Sequence, residues 1–327
     1  MRPALKPGLA TVWRNRDTVQ IGIDPRRAIA LTGMRGAAGL LRLLDGSRDR
    51  HQVLAAAGDL GMDAGTADRV LTLLAAAGAL DDFPAGGHGT LPAGTRARLA
   101  PELATTSLAH RDADGGARTL ARRQAARVRV HGASRASLWI AGLLSAAGVG
   151  LVLSTGPAVP RPGPAKAAAV PPPGRPGTRS RPRQPPDLVI LADTHGRELP
   201  AALVRREVPH LAASASEAIG MVGPLVVPGR SACLRCLDLA RAERDPAWPL
   251  ILAQLAGQAG ADPLACDTVL ATMVAAQAAA QALAFLDLGA EAAVAVTNGT
   301  LELVLPDWQW RRRTWRAHPR CGCQHRD

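Results

Sequence analysis

Apolar positions along the chain recur with two different periods. Near the amino terminus Val19, Ile21 and Ile23 alternate with Gln20, Gly22 and Asp24, and Ile29 and Leu31 follow after Pro25, which predicts two short strands. Helical spacing takes over next. Leu40, Leu41, Leu43 and Leu44 mark a helix stopped at Asp45-Gly46. Ser47 can cap a second helix bearing Val53 and Leu54, and Asp63 or Thr66 a third with Val70, Leu71, Leu73 and Leu74. Strands beside three short helices predict a small α+β, winged-helix-like domain over residues 1–83. Residues 84–117, rich in Gly, Ala and Pro with scattered charges, read as a linker.

The pattern changes from Arg127 onward. Val128 and Val130 make a short strand, an apolar helix follows, and "GLVLSTG" is a second strand. "DLVILAD" (Asp187 to Asp193) is a continuous apolar run, as a parallel strand covered on both faces requires. "GPLVVPG" (Gly223 to Gly229) is another strand candidate, and a helix without Gly or Pro extends from about Leu264 to Leu288. "AVAVTNGTLELVL" reads as a hairpin turning at Asn298-Gly299. This succession predicts an α/β, Rossmann-like domain over residues 118–327. A Pro-rich insertion interrupts it at 156–186, where eleven residues are proline.

The chain has 327 residues, enough for two domains, and a formal charge of +12. From Gly115 to Pro186 there is no Asp or Glu, while Arg and Lys supply twelve cations, the size of the whole excess. The Pro-rich half of that stretch carries no aromatic residue for base stacking, so it reads as a solvated linker and not as a nucleic-acid groove. The third amino-terminal helix offers only Arg69, beside Asp63 and Asp68, which is a poor phosphate-binding face. No nucleic-acid partner is expected. A free strand edge next to that helix suits an extended peptide bound by strand addition, seated on Ile29, Leu31, Val70 and Leu74.

The stretch from Leu138 to Leu153 has two readings, a membrane span and a buried strand-turn-helix unit. The run is uncharged but only 16 residues long, short of the roughly 20 that a span needs, and it contains Gly142, Ser145, Gly148 and Gly150. The buried unit explains those glycines. The start of the chain lacks an apolar run of signal-peptide length, so the cytoplasm is the expected compartment.

Two constellations carry candidate chemistry. Gly132-Ala133-Ser134-Arg135-Ala136-Ser137 sits where a G-x-G-x-x-G phosphate turn would lie between strand and helix, with serines in place of the second and third glycines. The next strand ends in Ser154, Thr155 and Gly156, with no carboxylate for a ribose. ATP and Mg are therefore expected to bind weakly or not at all, and no catalytic residue is assigned. The second constellation is Cys233-x2-Cys236 with Cys321-x-Cys323, two chelate-spaced pairs that together offer the four thiolates of a structural zinc site. His318 and His325 lie near the second pair and read as surface histidines. Cys266 reads as a small buried residue.

With these residues in hand, the chain resembles the E1-like ThiF superfamily. The likeness is to the branch with an amino-terminal peptide recognition element that serves azole-forming peptide modification. The marks are "HGASRASLWIAGLLSAAGVG", "VPHL" (Val208 to Leu211), "VGPLVVPGRSACLRCLDL" (Val222 to Leu239), "DPAWP" (Asp245 to Pro249) and "HPRCGC", ending in Cys323. The resemblance implies zinc on Cys233, Cys236, Cys321 and Cys323. It puts Asp193 near a magnesium-coordinating position, in a degenerate nucleotide site with Gly132, Ser134 and Ser137. It also implies a homodimer that binds a precursor (leader) peptide and presents it to a YcaO-type cyclodehydratase, which makes thiazolines or oxazolines. The alternatives are an active ThiF-type ATP-dependent adenylyltransferase and a membrane-tethered or DNA-associated regulator.

Overall fold

The computed structural model describes residues 1–33, 36–83, 91–155, 185–192, 196–257 and 266–324. They form two compact units, Met1–Arg122 and Arg123–Asp327.

In the first unit the alternating segments become a three-stranded antiparallel sheet, β2 (Thr11–Asn15), β3 (Thr18–Ile21) and β4 (Ile29–Thr32), in that spatial order. A short pair, β1 (Pro3–Leu5) with β5 (Leu80–Asp82), lies apart from it. Three helices follow β4: α1 (Ala37–Leu43), α2 (Arg50–Gly58) and α3 (Ala64–Ala76). Asp49, and not Ser47, caps α2, in a reciprocal box with Gln52; Asp63 caps α3 by accepting from the Thr66 N–H. Val19, Ile21, Leu31, Leu40, Val53, Val70, Leu71 and Leu74 make one core, so the two strands and three helices expected from the pattern are joined by their apolar faces.

The expected linker is a correction. Residues 93–110 form helix α4 (Ala93–His110), followed by α5 (Ala117–Ala125). Leu99, Leu103 and Leu120 bury together. Lys6 holds α4 in place: its side chain is fully buried, and Nζ donates to the carbonyls of Ser107 and Asp112 at 2.7 and 2.6 Å, with Asp81 Oδ1 at 3.4 Å. A cation so far from water needs each of these acceptors.

The second unit is built on a seven-stranded sheet. Its strands are β6 (Arg127–His131), β7 (Leu151–Ser154), β8 (Leu188–Ala192), β9 (His210–Ser216), β10 (Ile219–Val226), β11 (Gly299–Val304) and β12 (Gln309–Thr314). The order across the sheet is β12-β11-β10-β9-β8-β6-β7. Pairings among β6, β7, β8 and β9 are parallel, and the other three are antiparallel. β8 is buried at every position, because Leu188, Ile190 and Ala192 face one apolar cluster and Val189 and Leu191 another. The first cluster lies under α6 (Arg135–Ala146) and α10 (Thr268–Leu288). The second takes Leu203 from α7 (Glu198–Arg205) and Leu234 from α8 (Leu234–Ala242). Helix α9 (Trp248–Gly257) follows α8.

Leu138 lies in α6 and Leu153 in β7, so the stretch forms the expected helix and strand, but the expected burial is partial: Leu143, Leu151 and Leu153 are exposed. Helix α10 is long and apolar enough to cross a membrane, but its alanines Ala271, Ala275, Ala278 and Ala282 are fully buried in the core. The hairpin is displaced from its expected turn. β11 begins at Gly299 and turns into β12 through residues 305–308, with Val304 opposite Gln309. Asn298, at φ 54°, lies in the turn just before the strand, and its side-chain oxygen accepts the Ala232 N–H at 2.7 Å. The Gly299 N–H donates to the Val296 carbonyl, so the turn at Asn298 leads into β11 and does not join the two paired strands.

Two outcomes follow. Lys6→Ala should destabilise the first unit by about 3 kcal/mol and raise amide exchange across 93–110, measured by hydrogen–deuterium exchange. On β9, His210 is fully buried and hydrogen-bonds the Val208 carbonyl; burial moves its pKa from the ordinary 6.5 down to about 4. The unfolded chain then takes up a proton that the folded chain refuses. The stabilisation from the neutral ring is complete above pH 6.5 and is lost as pH falls toward 4. Unfolding free energies from urea titrations should fall over that window by up to about 3 kcal/mol more in the native protein than in His210→Gln.

Candidate functional site

The four paired cysteines converge. Cys233 sits at the N-cap of α8, Cys236 in its first turn, and Cys321 and Cys323 in the segment after β12. Val226, Leu237 and Trp315 pack around them. Their sulfur atoms all lie within 4.8 Å of one another. Cys233 Sγ is 3.8 Å from Cys236 and 3.4 Å from Cys321, and Cys236 is 3.4 Å from Cys323. None of the five cysteines is disulfide-bonded. Zinc–sulfur bonds of about 2.3 Å in a tetrahedron place the sulfurs about 3.8 Å apart, so the donor set fits that ion.

Without a cation the thiols are in conflict. The hydrogen bond from Cys233 holds Cys236 down at about 4, while giving that bond, together with burial, pushes Cys233 up. Burial pushes Cys323 up to about 12. A divalent metal ionises all four. The cluster could hold a metal such as zinc. His318 is not among the clustered ligands: its Nε2 meets Glu243 Oε1 at 2.9 Å, beside Arg320. His325 lies outside the described residues. Cys266 is buried just before α10, and its carbonyl accepts from Arg135.

The second candidate lies at the carboxyl ends of β6 and β8, where the order of the strands reverses direction. Gly132, Ser134 and Ser137 come together there, and Asp193 lies outside the described residues. Gly132 has φ +140°, and a Cβ on it would stand 2.2 Å from the Ala192 carbonyl oxygen. This glycine is needed for the turn to pass the neighbouring strand, whatever binds. Ser134 caps α6, its Oγ accepting the Ser137 N–H at 3.2 Å, and Ser137 Oγ donates to the Ser134 carbonyl at 2.7 Å. Both serines are buried. The Gly132 N–H donates to Thr155 Oγ1, just past β7, and the described residues at that tip, Ser154 and Thr155, carry no carboxylate. Arg135 turns away to the start of α10, where it donates to the Cys266 carbonyl at 2.6 Å.

The third candidate is the edge of β4, which pairs only with β3 among the described residues. Just past β4, the Gly33 N–H donates to Asp17. By alternation the N–H groups of Ile29 and Leu31 face β3, and those of Ala30 and Thr32 face the free edge. The expected peptide seat needs correction here. Leu31, Val70 and Leu74 are core side chains, and only Ile29 is half-buried. What the edge offers an extended chain is main-chain hydrogen bonding from Ala30 and Thr32.

No family model matches the chain, and no curated protein matches it in sequence. Solved structures do. E. coli MccB with MccA-N7isoASN aligns over 99% of both chains, at TM-score 0.65 and 11% identity. A heterocyclase in complex with substrate and cofactor covers 96% of this chain and 38% of its own, at TM-score 0.62 and 15% identity. The heterocyclase TruD covers 98% and 42%, at TM-score 0.61 and 17% identity. The fold is E1-like. The chain spans about two fifths of the length of the heterocyclases it matches.

Protein prepared without chelator should carry about one zinc per chain. Cys236→Ser should lose it and lower the thermal midpoint, as read by metal analysis and circular dichroism. A chelator should reproduce that loss in the native protein.

Proposed function

We propose that this chain binds a precursor peptide through its amino-terminal unit and presents it to a partner YcaO-type cyclodehydratase in azole-forming peptide modification, without adenylating anything itself. The first unit acts as a winged-helix-like recognition element over residues 1–83, pairing a leader peptide with the edge of β4. The second is a scaffold whose carboxy-terminal part is held by zinc on Cys233, Cys236, Cys321 and Cys323. The protein works in the cytoplasm, as a homodimer.

The observation that carries the reading is at the β6–α6 turn. A helix amino terminus attracts phosphate because its first N–H groups have no partners within the helix. Here Ser134 takes up the Ser137 N–H, and the only hydroxyl donor of Ser137 is spent on a carbonyl. One first-turn N–H is thus taken by Ser134, and the described tip of β7, Ser154 and Thr155, offers no carboxylate; both features support weak or absent ATP binding. The fold shared with peptide-bound MccB and with the heterocyclases supports the peptide side of the reading.

One observation favours an active adenylyltransferase instead: MccB, named as a microcin C7 biosynthetic enzyme, matches this chain from end to end, whereas the heterocyclases are more than twice as long. ATP–pyrophosphate exchange in the presence of the peptide separates the two. The expected result is no exchange above background, and millimolar ATP with Mg leaving the thermal midpoint unchanged. Ordered triphosphate against Ser134 in a nucleotide-soaked crystal would sink the proposal. For the peptide, Ala30→Pro removes an outward N–H of β4 without touching its ladder with β3. Binding of a labelled leader peptide, followed by fluorescence anisotropy, should weaken roughly tenfold or more, with the fold intact by circular dichroism.

A further inference from the structure

Helix α9 is apolar and carries no charged residue, yet none of its described side chains is fully buried. A cavity of about 270 Å³ separates it from α7 and α8. Pro200, Val204, Leu234, Leu239 and Leu252 give that cavity apolar walls. It shares no wall residue with the edge of β4 or with the turn after β6. Apolar surface left open on both sides of a gap is stabilised by whatever apolar body fills it.

The polar wall residues decide what else the occupant carries. Arg197 grips Asp238 with two hydrogen bonds, of 2.6 and 3.1 Å, and Trp248 Nε1 donates to the same carboxylate at 3.1 Å, so this acid is neutralised within the wall. Cys233 belongs to the thiol cluster. His210 is wholly buried, and its Nε2 has no surface open to a ligand. Arg235 is different: it borders the cavity, is exposed, and enters no ion pair among the described residues. An arginine so placed lays its methylenes along the apolar wall and holds its charge in water at the mouth. The site therefore has an apolar interior and one uncompensated cation at its rim.

We propose that this cavity binds a small free amphiphilic carboxylate, its apolar body between α8 and α9 and its carboxylate on the Arg235 guanidinium. The fork of an arginine matches a carboxylate in geometry as well as in charge. A polypeptide fits less well, because the wall side chains other than Arg235 are bonded to one another, held in the thiol cluster or closed off, and its amide groups would enter without partners. The bound body supplies Trp248 and Leu252 with apolar contact across the gap.

Ligand-observed NMR titrations on the full-length, metal-loaded protein would follow butanoate, hexanoate and octanoate, with octanamide as the uncharged counterpart and the blocked dipeptide Ac-Leu-Glu-NH2 as the polypeptide arm. Affinity should rise about fourfold for each added methylene, and octanoate should bind roughly two- to fivefold more tightly than octanamide. Arg235→Gln should bring octanoate down to the octanamide level with metal content unchanged. Octanoate should also slow amide exchange across 248–257. Ala242→Leu, which fills the cavity, should abolish binding; if that variant fails to fold, the exchange pattern of the native protein locates the site. Equal affinities for octanoate and octanamide, a preference that survives Arg235→Gln, unchanged exchange in α9, or a dipeptide that binds more tightly than octanoate would each overturn the proposal.

Discussion

Complete burial of β8 is the constraint on which the second unit rests. A strand whose alternate residues enter two separate cores needs cover on both sides of the sheet, with α6 and α10 on one and α7 and α8 on the other. Its neighbours β6 and β9 run parallel to it, and chain connections therefore pass over the faces. Two consequences are spatial. The carboxyl ends of β6 and β8 open a crevice where the strand order reverses. The cover on the second face brings α8 and its two cysteines to the sheet, where the segment after β12 meets them.

Near the first helix, a single set of atoms is asked to serve either the fold or a ligand. Gly132 is required by the approach of the turn to Ala192, so its presence says nothing about nucleotide. The serines that follow have turned their hydroxyls onto the helix they begin. Such a cap stabilises the helix by about 1 kcal/mol and takes one of the N–H groups a phosphate would seek. The peptide-presenting role and the loss of adenylation are thus linked in the proposal through the same two side chains.

The charge excess also looks different in three dimensions. Arg118 pairs with Asp114 at 2.9 Å, and Arg123 grips Asp287 through bonds of 2.7 and 2.6 Å, both partners buried. Arg135 caps the approach to α10. These three belong to the cationic stretch, outside its Pro-rich half, and they work as structural anchors. Their partners Asp287 and Cys266 lie more than a hundred residues away from Arg123 and Arg135, so charge counting within a window cannot find them.

Much of the architecture was legible in the sequence because it depends on local periodicity and chelate spacing. β6 and β8, the capped helix after Gly132, the long alanine helix and the two cysteine pairs all carry their signal within a few residues. Only the tertiary structure decided the rest. Helix α4 contains Pro101 and carries a weak apolar face, and it is held by Lys6, about a hundred residues earlier. Asn298 turns the chain into β11 and ties to Ala232 where a hairpin turn was expected, and Val70 and Leu74 went to the core and not to a surface. A local pattern says which side of an element is apolar; what that side, or a buried polar atom, finally meets is set by contacts between distant parts of the chain.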